Sequence, residues 1–199
     1  MRAIAVAGAL LLLAGCSGFR STQGTGQVYT LTAPLPQAVA SADTMPAATL
    51  RLARPLAAPG LDTDRIALTR SGQRLDYYTA SRWSAEVPAL VHALAVEALR
   101  GAGRFGAVQP DGAHFDASYL LQIEVLRFQA DYADAGPPTV HVQLLATLGR
   151  QDDRKLIATV VADSSVVASA NRMEAVVGAF QAATSEALGQ LAARLQPPP

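Results

Sequence analysis

The chain of 199 residues holds one cysteine, Cys16, and three histidines, His92, His114 and His141. A single cysteine excludes intramolecular disulfides, so packing must hold the fold. It also excludes cysteine-rich zinc frameworks, and no two histidines have the spacing of a helical metal motif. Charge is sparse at 16% of residues, with 16 basic against 16 acidic. Without a basic surplus, nucleic acid is not an expected partner. Without an acidic block, no disordered acidic tail is expected. After the first turn of apolar sequence, no stretch is long enough to span a bilayer. The serines lack a G-x-S-x-G elbow. Gly101, Gly103 and Gly106 match G-x-G-x-x-G, but a helix precedes them and a strand follows. That order is the reverse of a pyrophosphate-binding turn, and a helix C-cap explains it. The acidic pairs Asp62 and Asp64, Asp131 and Asp134, and Asp152 and Asp153 fall in expected turns, where Asp bonds nearby backbone. His114-Phe115-Asp116 reads as a solvated loop, and His92 as exposed on the polar side of a helix. These absences exclude a recognisable catalytic, metal or cofactor site, and the chain reads as a non-enzyme.

What is present begins at the N-terminus. Met1-Arg2 precedes an apolar run, Ala3–Leu13, that ends in small residues. The run is too short for a mature transmembrane helix, so residues 1–15 read as a secretory signal peptide. Leu13-Ala14-Gly15-Cys16 resembles the bacterial lipobox. The resemblance implies cleavage before Cys16, diacylglycerol on its thiol and an acyl chain, such as palmitate, on the new terminus. A lone thiol in an exported chain otherwise lacks a partner. Each buried methylene contributes about 0.8 kcal/mol, and stable anchoring takes two or more chains. Ser17 stands where inner-membrane retention uses Asp. Lipoprotein sorting therefore implies the periplasmic face of the outer membrane.

Residues 16–48 read as the lipidated cysteine and a flexible tether. The coil Ser17–Val28 would reach roughly 20 Å. Tyr29-Thr30-Leu31 is a candidate short strand. Residues 49–196 read as one α+β domain. Thr49–Arg54 is a strand stopped by Pro55 and the Pro59-Gly60 turn. Arg65–Arg70 and Arg74–Thr79 form a hairpin about Ser71-Gly72. Ser84–Leu99 is helical by period, with Val87, Leu90, Val91, Leu94, Ala98 and Leu99 on one stripe. Gly106–Gln109 is a short strand. Ala117–Phe128 and Val140–Leu148 alternate apolar and polar residues, Leu156–Val167 is a third long strand joined by the polar turn Gln151–Lys155, and consecutive long strands with short turns predict an antiparallel meander. A second helix spans Arg172–Leu195, with Asn171 as N-cap. The expected architecture is a mostly antiparallel sheet with two amphipathic helices packed on one face.

Aromatics make up only 6% of the chain, yet Tyr77, Tyr78 and Trp83 crowd one segment with Arg82. Tyr, Trp and Arg are the usual interface anchors, which makes these four candidate partner-binding residues. Core burial of Trp83 is the competing reading. The same residues carry a wider likeness. Tyr77-Tyr78, Arg82-Trp83, the helix with Pro88 and Gly103-Arg104-Phe105-Gly106-Ala107-Val108 come in order. Ala117-Ser118-Tyr119-Leu120-Leu121, Arg127-Phe128, Val140–Leu148 and Ala179-Phe180-Gln181-Ala182-Ala183 follow. This series resembles the ABC-type transport auxiliary lipoprotein component family, which includes the paraquat-inducible protein C lipoproteins. Ser118 departs from it, since the family often has Asp before the Tyr.

The resemblance implies a non-catalytic accessory in the envelope. Its implied partners are an MCE-domain protein and an ABC permease and ATPase that move lipids between inner and outer membranes. The energy would come from that ATPase, because this chain has no phosphate-binding loop. A homo-oligomer stays open. The alternative is a structural or envelope-stress outer-membrane lipoprotein that binds another envelope protein.

Overall fold

The computed structural model describes residues 26–33, 48–70, 74–133 and 136–197. Cys16 and the signal segment lie outside them, as does the Ser71-Gly72 turn. Nine strands and two helices follow in order: β1 (Gln27–Tyr29), β2 (Thr49–Leu52), β3 (Leu56–Ala57), β4 (Arg65–Arg70), β5 (Arg74–Trp83), α1 (Val87–Ala102), β6 (Ala107–Gln109), β7 (Tyr119–Tyr132), β8 (Thr139–Arg150), β9 (Leu156–Val167) and α2 (Met173–Arg194). No helix among the described residues is long and apolar enough to cross a membrane.

The long meander forms as its alternation predicts. β7, β8 and β9 pair antiparallel along nearly their full lengths. Tyr119, Leu121, Ile123 and Val125 of β7 are buried, and so are Val140, Val142, Leu144, Ala146 and Leu148 of β8. Strict alternation would then put Phe128 on the wrong face. A bulge prevents this: Val125 pairs with Leu144 while Arg127 pairs with Gln143. The extra residue, Leu126, shifts the phase and returns Phe128 and Ala130 to the core.

The expectation of a mostly antiparallel sheet is corrected here. The sheet is mixed. β2, β3 and β4 lie one after another along the second edge of β7, and all run parallel to it. β6 adds parallel to β2, and β1 parallel to β5. The hairpin β4–β5 keeps its antiparallel pairing. Alternation specifies which face a residue occupies; it does not specify the neighbour or its direction. The sheet also reaches back to Gln27, inside the segment assigned to the tether.

Local signals set the helix ends. Pro88 sits in the first turn of α1, where its missing N–H leaves no bond unmade. Gly103 closes α1 at φ 62°, a left-handed conformation that suits glycine. Gly106 then donates its N–H to the Ala48 carbonyl at 2.9 Å and leads into β6. The G-x-G-x-x-G stretch is thus a helix exit. Asn171 does not cap α2: the N-cap is Arg172, with no side-chain bond. Asn171 Oδ1 instead accepts the Tyr132 hydroxyl at 2.9 Å.

The core joins strands to helices through three rings. Trp83, 1% exposed, meets Phe180 of α2 edge-on at 5.1 Å and Phe128 of β7 at 5.9 Å. Phe128 and Phe180 lie 5.1 Å apart. Such pairs add about 0.5–1.5 kcal/mol beyond their burial. α2 contacts β8 and β9, while α1 contacts α2, β3 and β6.

Candidate functional site

The aromatic segment of β5 divides between core and surface. Trp83 belongs to the core cluster, so its ring is not available to a partner in this structure and supports its neighbours from beneath. Tyr77 is half-buried. Its hydroxyl donates to the Gly60 carbonyl at 2.9 Å, and the Arg65 guanidinium lies 3.8 Å over its ring. Arg82 is exposed and pairs with Asp64 at 3.4 Å. Exposed pairs of this kind add little stability, about 0–1 kcal/mol. Tyr78 is half-buried, with its hydroxyl 2.9 Å from that of Tyr132. Tyr132 gives its only proton to Asn171, so Tyr78 must be the donor to Tyr132. Burial, then this hydrogen bond, raises the Tyr78 pKa well above the ordinary phenol value.

The segment also breaks the hairpin's register. Arg65 pairs with Arg82, but Ala67 pairs with Tyr77. Four β5 residues, Tyr78 to Ser81, therefore oppose Ile66 alone. After the excursion Ser81–Trp83 pairs with β1 on one side, while Arg82 stays paired with Arg65 on the other. Arg82 thus faces solvent, while Tyr77 and Tyr78 are half-buried against the core and Trp83 lies within it.

The histidines separate widely. His114 is exposed in the loop before β7. His92, expected to be exposed, is half-buried, and its Nε2 lies 3.1 Å from the Leu52 carbonyl. A carbonyl only accepts, so Nε2 carries the proton. His141 is on β8 with Nδ1 2.8 Å from the Ser165 hydroxyl. Burial, then repulsion by Arg127, lowers its pKa below the ordinary value. Among the described residues, no three His, Cys, Asp or Glu side chains gather to hold a metal.

Two features escaped the sequence. The first is a pair of glutamines on α2. Gln181 accepts the Thr32 N–H at 2.8 Å and donates to the Thr32 carbonyl at 2.7 Å. Gln190 does the same for Asp163 of β9. A helical Gln outside the apolar stripe reads as solvated, so no local signal marked either. The second is the outward face of the sheet, where Leu56, Leu126 and Val161 are exposed, at 59%, 36% and 47%. Glu124 pairs with both Leu56 and Leu145, and Leu145 pairs with Val161, which makes one row across four strands with the carboxylate of Glu124 inside it. Leu56 and Val161 are thus exposed apolar residues at the two ends of a row that also holds Glu124 and the half-buried Leu145.

The structure is an α+β domain built on a mixed sheet, with a split aromatic turn and an outer row that ends in exposed apolar residues. The chain belongs to the ABC-type transport auxiliary lipoprotein component family, whose model matches residues 29–195. A crystal structure of a Xanthomonas campestris protein of the DUF330 family is similar, at 24% identity and TM-score 0.73. It covers 83% of this chain and 92% of its own. The crystal structure of an uncharacterized protein is similar at 14% identity and TM-score 0.65, covering 85% of this chain and 97% of its own. At these identities the two structures share the fold. No curated protein sequence matches the chain.

Proposed function

We propose that this protein is a non-catalytic accessory of an MCE-type ABC transporter that moves lipids between the inner and outer membranes. A lipid on Cys16 holds it at the periplasmic face of the outer membrane. The observation that carries the reading is the family match over residues 29–195, a family of auxiliary lipoproteins of ABC-type transport. The lipobox at Leu13–Cys16 supports the anchor. The outward row Leu56, Glu124, Leu145 and Val161, and the turn with Tyr77, Tyr78 and Arg82, supply candidate contact surfaces. Trp83 fixes the turn's position without touching the partner.

The role asked of the chain is then mechanical. It binds a transporter component and keeps it near the outer membrane, within reach of the tether. The test is cross-linking of the full lipidated chain in cells of its source bacterium, followed by mass spectrometry. Recovery of an MCE-domain protein or its permease is expected. Outer-membrane barrels without any transporter component would overturn the reading and favour a structural lipoprotein. The anchor has its own check. Cys16→Ser should release the protein from the membrane fraction and remove the acyl mass from its N-terminal peptide.

A further inference from the structure

β9 is an edge strand: among the described residues it pairs only with β8. Main-chain bonds alternate along an antiparallel strand, so every second residue turns its N–H and C=O away from its neighbour. Three contacts establish the phase. Gln190 takes both groups of Asp163, and Arg194 donates to the Val161 carbonyl at 3.1 Å. Ala168, on the even phase, donates to the Pro138 carbonyl beside β8. The odd residues therefore face outward. Side chains of α2 cover the edge at Val161 and Asp163. At Ser165 and Val167 the outward N–H and C=O groups have no partner among the described residues.

An open cleft of about 350 Å³ lies beside that uncovered stretch, between β9 and the first half of α2. Its helix wall is made of small residues, Ala175, Gly178 and Ala179, and nothing lies within 4 Å of where a Gly178 side chain would start. Strands pair at about 4.8 Å, so an added backbone needs a wall of this kind close by.

We propose that an extended peptide segment of a partner protein adds to β9 as a further strand at Ser165–Val167, seated against Ala175 and Gly178. The bonding pattern selects the occupant. Alternating donors and acceptors along an edge are matched by a peptide backbone, whereas an acyl chain has neither. Gln190 shows the complement one step along the same edge. Its side-chain amide has the groups of a peptide unit and engages both groups of Asp163. A partner strand continues that row. Arg172 and Glu174 also line the cleft, with opposite charges. Recognition therefore rests on the main chain and tolerates varied side chains. The inference stands apart from the transporter reading, because it requires an extended segment and not a particular complex.

The test uses the full lipidated chain in detergent and the acetylated, amidated peptide Thr-Val-Thr-Val-Thr in millimolar excess. Amide hydrogen exchange at Ser165 and Val167 should slow at least tenfold. The same peptide N-methylated at every residue has no backbone N–H within its sequence on either edge and should have no effect. Val167→Pro removes an outward N–H without touching the β8 ladder, and Gly178→Leu fills the cleft. Both should keep the circular dichroism spectrum and lose the protection. No slowing with the plain peptide, or equal slowing with the N-methylated one, overturns the proposal. Slowing that appears without peptide and grows with protein concentration also overturns it, and assigns the edge to a second copy.

Discussion

Gln190 of α2 stands beside Asp163 of β9 and engages both of its main-chain groups, accepting the N–H at 3.2 Å and donating to the carbonyl at 2.9 Å. A helix side chain thereby does what a neighbouring strand would do. Open edges invite association with other chains, and covering them with a helix is one of the ways folds avoid it. Gln190→Leu keeps the volume and removes both bonds. It should cost about 1 kcal/mol, the usual net value of an intramolecular hydrogen bond or two at a solvated site. Urea midpoints would read the cost, and light scattering should show faster association. Unchanged amide exchange at Asp163 would contradict this account of the edge.

Trp83 is the only tryptophan, which makes the core cluster directly observable. Its fluorescence should be blue-shifted in the native state and shift to the red on unfolding. Trp83→Ala should destabilise the domain by roughly 3–5 kcal/mol, as expected for emptying a buried aromatic site. Trp83→Phe should cost less than half of that. It keeps a ring against Phe180 and removes an indole N–H that has no partner among the described residues. A surface role for Trp83 would give near-zero cost in both variants and a red native spectrum.

Among the described residues two glycines have positive φ, 85° at Gly60 and 62° at Gly103, and they should respond differently to substitution. A side chain in the left-handed region costs roughly 1–2 kcal/mol. At Gly103 nothing crowds the position, so Gly103→Asn, a residue suited to this conformation, should be nearly neutral. At Gly60 a Cβ would collide with Leu75 Cδ2 and press on the Tyr77 hydroxyl. Gly60→Asn should therefore cost clearly more than Gly103→Asn by thermal unfolding. Equal costs would show that Leu75 simply moves aside.

His141 should contribute a specific pH dependence. Its folded pKa is depressed below 6.5 by burial and then by Arg127, with Asp131 and Asp163 opposing. As pH falls below 6.5, the unfolded chain takes up a proton before the folded one does. Stability present at neutral pH is then lost progressively as pH drops through the folded pKa. The urea midpoint of the native chain should fall more between pH 7.5 and 5 than that of His141→Gln. Identical falls would place the histidine in a fully solvated setting.

Much of the architecture was legible because burial imposes a period. Arg65–Arg70 and Leu156–Val167 form with the bounds that the neighbouring turns mark, and both helices appear on their 3.6-residue stripes. Pro88 and Gly103 punctuate α1 as their backbones require. The misses share one cause, competition from residues distant in sequence. Asn171 has the chemistry of an N-cap, yet Tyr132, 39 positions earlier, takes its oxygen. His92 lies off the apolar stripe, yet the Leu52 carbonyl, 40 positions away, draws it inward. β3 is two residues long and exists only because β7 is beside it.

The candidate surface divides along the same line. The sequence by itself determined which residues are apolar, which segments could be strands or helices, and that the lipobox-like Leu13-Ala14-Gly15-Cys16 precedes them. Those properties follow from covalent chemistry and near-neighbour spacing. Only the tertiary structure decided that Trp83 turns into the core while Arg82 stays out, that β2, β3 and β4 run parallel to β7, and that Gln190 closes part of the β9 edge. Each of these depends on which distant backbone arrives alongside, and hydrogen bonds and burial are settled by that arrival, not by the local pattern.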